Sequence, residues 1–305
     1  MKITSLHDVE PRPRKVAVGT FDGVHLGHRR VIAGSDSVLT FDPHPVSVVA
    51  PEHTPKLLTP PAVKAELIAA LGVQELIVIP FDADFAALTA DDFIERVLVG
   101  ALTAERVSVG ENFRFGHRAK GTPELLAADG RFETVIQPLL EVDGEIVSSS
   151  HIRGLVAAGE VAQAAHFLGS PFQLIREVVH GDERGRQLGF PTANLVPDER
   201  YVCPGHGVYT CLADGAAAID GTLPAAVSIG VRPTFRTGRG ELIEAYLIGF
   251  EGDLYGQQLR LRFLERLRGE RRFESPEALV EQMHRDVEQA RALADERETQ
   301  SASLS

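Results

Sequence analysis

The chain has 305 residues, 44% of them hydrophobic and 24% charged, with a formal net charge of -12. That length accommodates two domains with separate cores, and the acidic excess argues against a general nucleic-acid binder, which needs basic surface. No apolar run approaches the ~20 residues of a membrane span, and the N-terminal segment lacks the apolar stretch of a signal peptide, so a cytoplasmic protein without a membrane partner is expected. Nucleotide binding stays open, because local Arg and Lys, backbone N–H groups and Mg²⁺ hold phosphates even within an acidic chain. Cys203 and Cys211 match neither a zinc site nor a disulfide framework and are expected as plain thiols.

In chain order, strand-like runs at Val16–Val18, Ser37–Phe41, Glu75–Phe81 and Arg106–Val109 alternate with helical patterns. Ala62–Leu71 carries apolar residues at helical spacing and stops at Gly72. Thr89 with Asp92 resembles a capping box ahead of Phe93, Val97 and Leu98. Such alternation predicts a parallel sheet covered on both faces, with ligands bound beyond the carboxyl ends of its strands. Leu139–Val147 reads as a hairpin around Asp143-Gly144. Gly154–Leu168 reads as one helix, closed by Gly169 and Pro171, and the domain boundary is placed there. Beyond it, β-type runs at Phe172–Val179, Gly207–Leu212, Ala225–Ile229, Ile243–Phe250 and Gln258–Phe263 predict a small antiparallel barrel. A last helix starts at Ser275-Pro276 and carries an apolar stripe of Leu279, Met283 and Val287. Residues 298–305 are expected to form a disordered tail. The domains are thus 1–168, 169–297 and the tail.

Four constellations carry chemistry. Gly19-Thr20-Phe21-Asp22-Gly23-Val24-His25-Leu26-Gly27-His28 runs from a strand through a glycine-rich turn into a helix. Gly19 and Gly23 allow close approach of a ligand, and His25 and His28 share a face on the first helical turn, beside free N–H groups that favour a triphosphate. Ser148-Ser149-Ser150-His151-Ile152-Arg153 offers hydroxyls ahead of a helix and a planar phosphate-binding fork. His180–Asn194 holds a polar loop with Gly181, Gly185 and Gly189, whose backbone suits nucleotide phosphates together with Arg186. Phe190-Pro191-Thr192-Ala193-Asn194 closes it, and Thr192 and Asn194, two apart on an extended segment, are hard oxygen ligands suited to Mg²⁺. Glu244 shares a strand face with Tyr246, Ile248 and Phe250, and a carboxylate there suits a general base. Taken singly, each motif also fits a plainer reading: a turn with two histidines, a serine N-cap, a polar surface turn, or a glutamate on an edge strand.

The order of Gly19–His28, Asp42-Pro43-His44-Pro45, Gly110–Gly116 with Asn112, and Val147–Arg153 resembles the FMN adenylyltransferase module of prokaryotic bifunctional riboflavin kinase/FAD synthetases. The second half resembles riboflavin kinases through the glycine loop, Phe190–Asn194, Gly207-Val208-Tyr209, Ile229–Phe235, Glu244 and Asp253–Gly256. The resemblance implies an α/β doubly wound parallel-sheet domain of the HxGH nucleotidyltransferase type, followed by a small antiparallel β-barrel with a C-terminal helix. It implies riboflavin, FMN and ATP as ligands, Mg²⁺, ATP as co-substrate, and FMN and FAD as products. His25, His28 and Arg153 would serve the triphosphate. Gly19, Phe21, Asp22, Gly23, Asp42, Pro43, Asn112, Ser149 and Ser150 would shape the nucleotide and flavin sites. Glu244 would activate the riboflavin 5′-hydroxyl, and Phe273 with the last helix would lie near the flavin. Ser150 stands where the general signature has Thr, and only Arg29–Asp36 separates the HxGH from the next strand, about a dozen residues fewer than in the family and short for a βα crossover. The alternative is a monofunctional riboflavin kinase with an inactive or weak first domain. Two further alternatives are a non-catalytic flavin-binding protein and an HxGH enzyme with another substrate. The oligomeric state is not legible.

Overall fold

Successive buried residues along the early strands point to opposite sides, which sorts them into two apolar layers. The computed structural model describes residues 1–181, 189–231 and 241–302, without side chains at 241 and 298–302. The chain divides into two compact units, Met1–Ser149 and Ser150–Ser305.

In the first unit, β1 (Lys2–Ser5), β2 (Arg14–Val18), β3 (Ser37–Asp42), β4 (Glu75–Pro80), β5 (Ala104–Gly110) and β6 (Glu133–Gln137) form one sheet in the order β1-β4-β3-β2-β5-β6. Every pairing is parallel. Val16, Val18, Leu39, Phe41, Ile77 and Ile79 pack into one layer with Phe93, Val97, Leu98 and Leu126. Ala17, Val38 and Leu76 turn the other way, against Val31, Ile32, Ala65 and Ile68. Period-2 alternation buried on both sides is what a doubly wound sheet requires. The helices covering it are Leu26–Ile32 and Pro61–Ala69 on one face, and Phe93–Ala101 with Pro123–Asp129 on the other. Thr89 caps as expected: its Oγ1 accepts the Asp92 N–H at 3.0 Å. The segment that follows, Phe93–Ala101, is wound as a π-helix. A hairpin of β7 (Glu141–Val142) and β8 (Glu145–Ile146) turns at Asp143-Gly144, both with positive φ.

The segment expected as one helix over 154–168 is two, Ser149–Ala158 and Val161–Leu168. Gly159 separates them at φ 85°, and the Tyr209 hydroxyl would stand 2.7 Å from a Cβ there. In the second unit, β9 (Phe172–Val179), β10 (Ala193–Leu195), β11 (Gly207–Asp214), β12 (Leu223–Val231), β13 (Glu241–Leu247) and β14 (Gln258–Arg268) close a barrel in the order β10-β13-β12-β11-β14-β9. All its pairs are antiparallel. Tyr209, Cys211, Val227, Ile229, Ile243, Ala245 and Phe263 are each 0% exposed and fill its interior.

The C-terminal helix, Pro276–Ala302, covers the outer face of the barrel. Ser275 Oγ accepts the Ala278 N–H at 3.2 Å, the expected cap. Its most buried line is Asp286, Ala290 and Ala294, one step round from the predicted Leu279–Met283–Val287 stripe, because small residues let the helix lie close against Leu212, Ala226 and Leu264. The helix runs into the segment expected as a tail, and residues 303–305 lie outside those described. Both cysteines are free thiols, Cys211 buried and Cys203 half-buried. Among the described residues no helix is long and apolar enough to cross a membrane.

Candidate active sites

In the first unit the chain leaves β2 toward β3 on one side, while β5 flanks β2 on the other. The gap between β2 and β5 is therefore the switch point of the sheet, where such folds bind ligands at the carboxyl ends of their strands. The Gly19–His28 loop leaves β2 there, Gly110–Gly116 leaves β5, and Asp42-Pro43 ends β3. The Asp42–Pro43 peptide is cis, and His44 and Pro45 open the short helix that follows.

The loop is built on left-handed backbone at Phe21, Gly23 and Val24. Phe21 is 1% exposed, and its ring lies 3.0 Å from where a Cβ on Gly19 would sit. Asp22 is also buried. Its Oδ1 accepts the N–H groups of Leu58 at 2.8 Å and Thr59 at 3.2 Å, which ties the loop to the entry of helix Pro61–Ala69. Phe21 and Asp22 thus turn their side chains into the protein and shape the loop. Ser149 Oγ donates to the Asp22 carbonyl at 3.0 Å.

His25 is the N-cap of helix Leu26–Ile32, and its Nδ1 accepts the His28 N–H at 3.2 Å. The two imidazoles stack at 3.5 Å between centroids. A Cβ on Gly27 would meet the His25 ring at 3.2 Å, which explains the glycine in the motif. Burial holds the His25 pKa down to about 4, against a backbone hydrogen bond that raises it. Burial also pushes His28 well below its ordinary value, with the charges of His25 and Lys64 adding to the effect. Both rings are therefore neutral near pH 7. With Nδ1 of His25 an acceptor, its ring proton lies on Nε2, a donor. His28 Nδ1 is buried with no hydrogen-bond partner among the described residues.

Asn112 stands exposed just past β5, its Oδ1 3.3 Å from where a Gly110 Cβ would be. Ser150 and Arg153 belong to the second unit, one helical turn apart, with Arg153 NH1 donating to Ser150 Oγ at 3.2 Å. Sequence reading passed over Lys64, whose Nζ donates to the Thr20 carbonyl at 2.9 Å. The available signal was a lysine in the first turn of a helix, where the macrodipole disfavours a cation.

In the second unit, Asn194 on β10 lies opposite Glu244 on β13, which lies opposite Ser228 on β12. Residues opposite one another on one face stand about 5 Å apart at Cβ. All three sit on the outer face, since Ile243, Ala245, Val227 and Ile229 occupy the interior. Glu244 and Tyr246 share this face as alternation requires; the strand ends at Leu247, yet Ile248, in the turn before Gly249, still packs with Tyr246 against Ala226 and Ala290, and Phe250 lies beyond the turn. Asn194 is 4% exposed, and its Nδ2 donates to the Thr192 carbonyl at 3.3 Å. Its Oδ1 is buried and has no hydrogen-bond partner among the described residues. A Cβ on Gly181 would fall onto the Asn194 amide, so position 181 accepts only glycine beside it.

Phe190 is 4% exposed and stands edge-on to Tyr246 at 5.3 Å and to His284 of the C-terminal helix at 4.9 Å. Gly189 has φ 86°, and Pro191 is exposed. Gly185 and Arg186, and the Arg232–Phe235 part of the family motif, lie outside the described residues. Arg268 grips Asp286 of the helix at 2.8 Å and stands over the Phe273 ring at 5.7 Å. Ser228, His284 and the Arg268–Asp286 pair were not legible in the sequence, because only strand register and helix docking bring them here.

Comparison with known proteins adds to this geometry. The family described as FAD synthetase matches residues 7–151, and the family described as riboflavin kinase matches residues 168–294. Bifunctional riboflavin kinase/FMN adenylyltransferases are similar to nearly the whole chain. The Listeria monocytogenes protein is 37% identical over 91% of this chain and 91% of its own length. The Escherichia coli K12 protein is 35% identical over 95% of this chain and 96% of its own. A crystal structure described as a macrolide-efflux protein from Streptococcus pneumoniae superposes with a TM-score of 0.86 at 30% identity, covering 95% of this chain and 99% of that one. With both family segments in order along one polypeptide and each falling on one of the two sites, the chain belongs to the bifunctional riboflavin kinase/FMN adenylyltransferase family.

Proposed function

We propose that the chain phosphorylates riboflavin to FMN with one ATP and adenylates FMN to FAD with a second. The observation that carries this is the presence of both family segments, 7–151 and 168–294, in order along one chain. Residues 1–168 are taken as the adenylyltransferase domain and 169–297 as the kinase domain.

In the kinase domain, the riboflavin 5′-oxygen attacks the γ-phosphorus of ATP, its proton passes to the Glu244 carboxylate, and ADP leaves. The outer-face row of Asn194, Glu244 and Ser228 supports this, since it sets a carboxylate beside a buried amide oxygen that lacks a partner among the described residues. The Asn194 Oδ1 and the Thr192 hydroxyl are hard oxygen donors that fit Mg²⁺. When bound, the ion neutralises phosphate charge. Gly181, Gly185, Arg186, Gly189, Phe190 and Pro191 are assigned to ATP and flavin binding by their place in the glycine-rich motif. Phe190, Tyr246 and His284 offer aromatic edges to a flavin.

In the adenylyltransferase domain, an FMN phosphate oxygen attacks the α-phosphorus of ATP, and pyrophosphate leaves with the electron pair of the broken bond. Catalysis is positioning and charge stabilisation. His25 and His28, as neutral donors, face the triphosphate. Phe21, Asp22, Gly19 and Gly23 set the loop that holds them. Asp42, Pro43, Asn112, Ser149 and Ser150 shape the rest, and Arg153 is assigned to phosphate by its place in the Val147–Arg153 motif. A cytoplasmic location fits substrates of this kind.

The test is a time course of riboflavin with ATP and Mg²⁺. Riboflavin falls, FMN rises and FAD follows. Accumulation of FMN, with no FAD from purified FMN and ATP, would leave a monofunctional kinase.

A further inference from the structure

Adenylyl transfer places negative charge on the departing pyrophosphate, yet both imidazoles of the Gly19–His28 motif are held neutral by burial. Neutral donors orient phosphates but supply no charge, so beyond Arg153, assigned to phosphate by its motif, a cation held at the Gly19–His28 loop itself would add to the stabilisation. Lys64 is half-buried on helix Pro61–Ala69 and sends Nζ to the carbonyl of Thr20, between Gly19 and Phe21. Its charge is felt at His28, and Asp22 and Asp42 act on it in turn. It therefore stands at the carboxyl edge of β2 and β3, where the motif lies.

The amine is poorly served by the protein itself. Burial lowers its pKa, with the two carboxylates opposing. No ion pair within 4 Å includes it among the described residues. An ammonium has three N–H donors, and Thr20 takes only one. It also sits in the first turn of its helix, against the macrodipole. Arg29, on the helix that opens at the motif, gives its Nε to the Val24 carbonyl at 3.2 Å. A desolvated cation helped only by the fields of Asp22 and Asp42, with two N–H donors unused among the described residues, suits a polyanionic ligand.

We propose that Lys64 is a further catalytic residue of FMN adenylylation: hinged on the Thr20 carbonyl, its ammonium binds the pyrophosphate portion of ATP. In the step it serves, a bond forms between an FMN phosphate oxygen and the α-phosphorus. The bond from that phosphorus to the α,β-bridging oxygen breaks, and the bridging oxygen keeps the electron pair beside Lys64. The inference rests on the adenylyltransferase reading of the first domain.

The test compares Lys64→Gln, Lys64→Met and Lys64→Arg in the full chain, with FMN, ATP and Mg²⁺ as reactants. Lys64→Gln keeps an N–H for Thr20 and loses the charge. Both uncharged variants should lose roughly 100-fold in kcat/KM for ATP, as for removal of a preorganised charge-stabilising donor. Their KM for FMN and their riboflavin phosphorylation should stay unchanged, and Lys64→Arg should recover part of the loss. Pyrophosphorolysis of FAD should fall in parallel. The inference is overturned if Lys64→Gln stays within about 3-fold of the wild type, or if it restores what Lys64→Met loses, which would mark a structural hydrogen bond. If the uncharged variants do not fold, the wild type decides. Saturating pyrophosphate should protect Lys64 from an amine-reactive ester, read by peptide mass spectrometry, and unchanged labelling overturns the proposal. A wild-type chain that forms no FAD overturns both this inference and the reading beneath it, whereas FAD formation with an active Lys64→Gln overturns this inference alone.

Discussion

Glu244 lies between two polar neighbours on a barrel face otherwise covered by apolar contacts. Replacing it with Gln keeps the volume and removes the proton acceptor. General-base assistance is worth roughly 10²–10⁴-fold, so Glu244→Gln should lower kcat for FMN formation by that order while FMN adenylylation continues at the wild-type rate. An unaltered phosphorylation rate would remove Glu244 from the role of base. His25 yields a prediction about pH. Its folded pKa of about 4 lies below the ordinary 6.5. Between those values the unfolded chain binds a proton that the folded chain does not. Stability is therefore unaffected above pH 6.5 and is lost as pH falls toward 4, by roughly 3 kcal/mol in all. His25→Asn keeps a good N-cap and removes this titration. Its urea midpoint should therefore fall less than that of the wild type between pH 7.5 and pH 5. Equal losses would show that His25 is not held neutral by burial.

At the scale of elements, the shortened crossover between β2 and β3 still closes. Helix Leu26–Ile32 buries Val31 and Ile32, Gly34 turns at φ 71°, and Arg106 donates to the Gly34 carbonyl. Asp36 then accepts the Lys15 N–H at 3.0 Å, and β3 pairs with β2 from Ser37. The central strands were legible because they are buried on both faces and read as apolar runs. The edge strands β1 and β6 were not, since Lys2–Ser5 and Glu133–Gln137 bury little and show only weak alternation. β10 was hidden for another reason: three residues inside a polar motif carry no period, and only pairing with β9 and β13 makes them a strand. The site motifs were legible because glycines and histidines at fixed spacing carry local geometry. Lys64 and the Arg268–Asp286 pair depend on packing between distant segments. That pair clamps the C-terminal helix, with Asp286 also accepting from Gln282 at 2.6 Å. Asp286→Ala strands a largely buried guanidinium and should cost roughly 3 kcal/mol, the low end for a broken buried pair. The helix carries His284 against Phe190. The variant should therefore melt earlier and show a raised KM for riboflavin, with FMN adenylylation unchanged. A normal melt with a normal KM would mean that the clamp holds nothing the kinase site needs.

For the whole molecule, the residues of the two reactions fall in different stretches of sequence, and FMN is the product of one reaction and the substrate of the other. The adenylyltransferase reading uses His28, stacked on His25 beside Phe21. The kinase reading uses Glu244, on a strand of the barrel. If each site completes its own chemistry, two singly disabled chains should complement one another through free FMN. His28→Ala alone should convert riboflavin to FMN and stop. Glu244→Gln alone should leave riboflavin almost untouched and still convert added FMN to FAD. An equimolar mixture should then produce FAD from riboflavin after a lag, because FMN must leave one chain and bind another before the second ATP is used. The lag should shorten as total protein rises, and adding FMN should abolish it. A mixture that makes FMN but no FAD, while Glu244→Gln alone still adenylates added FMN, would mean that FMN formed on one chain does not reach the other. A Glu244→Gln chain that cannot adenylate added FMN would instead tie the two sites together through the fold, against the separation that the two family segments imply.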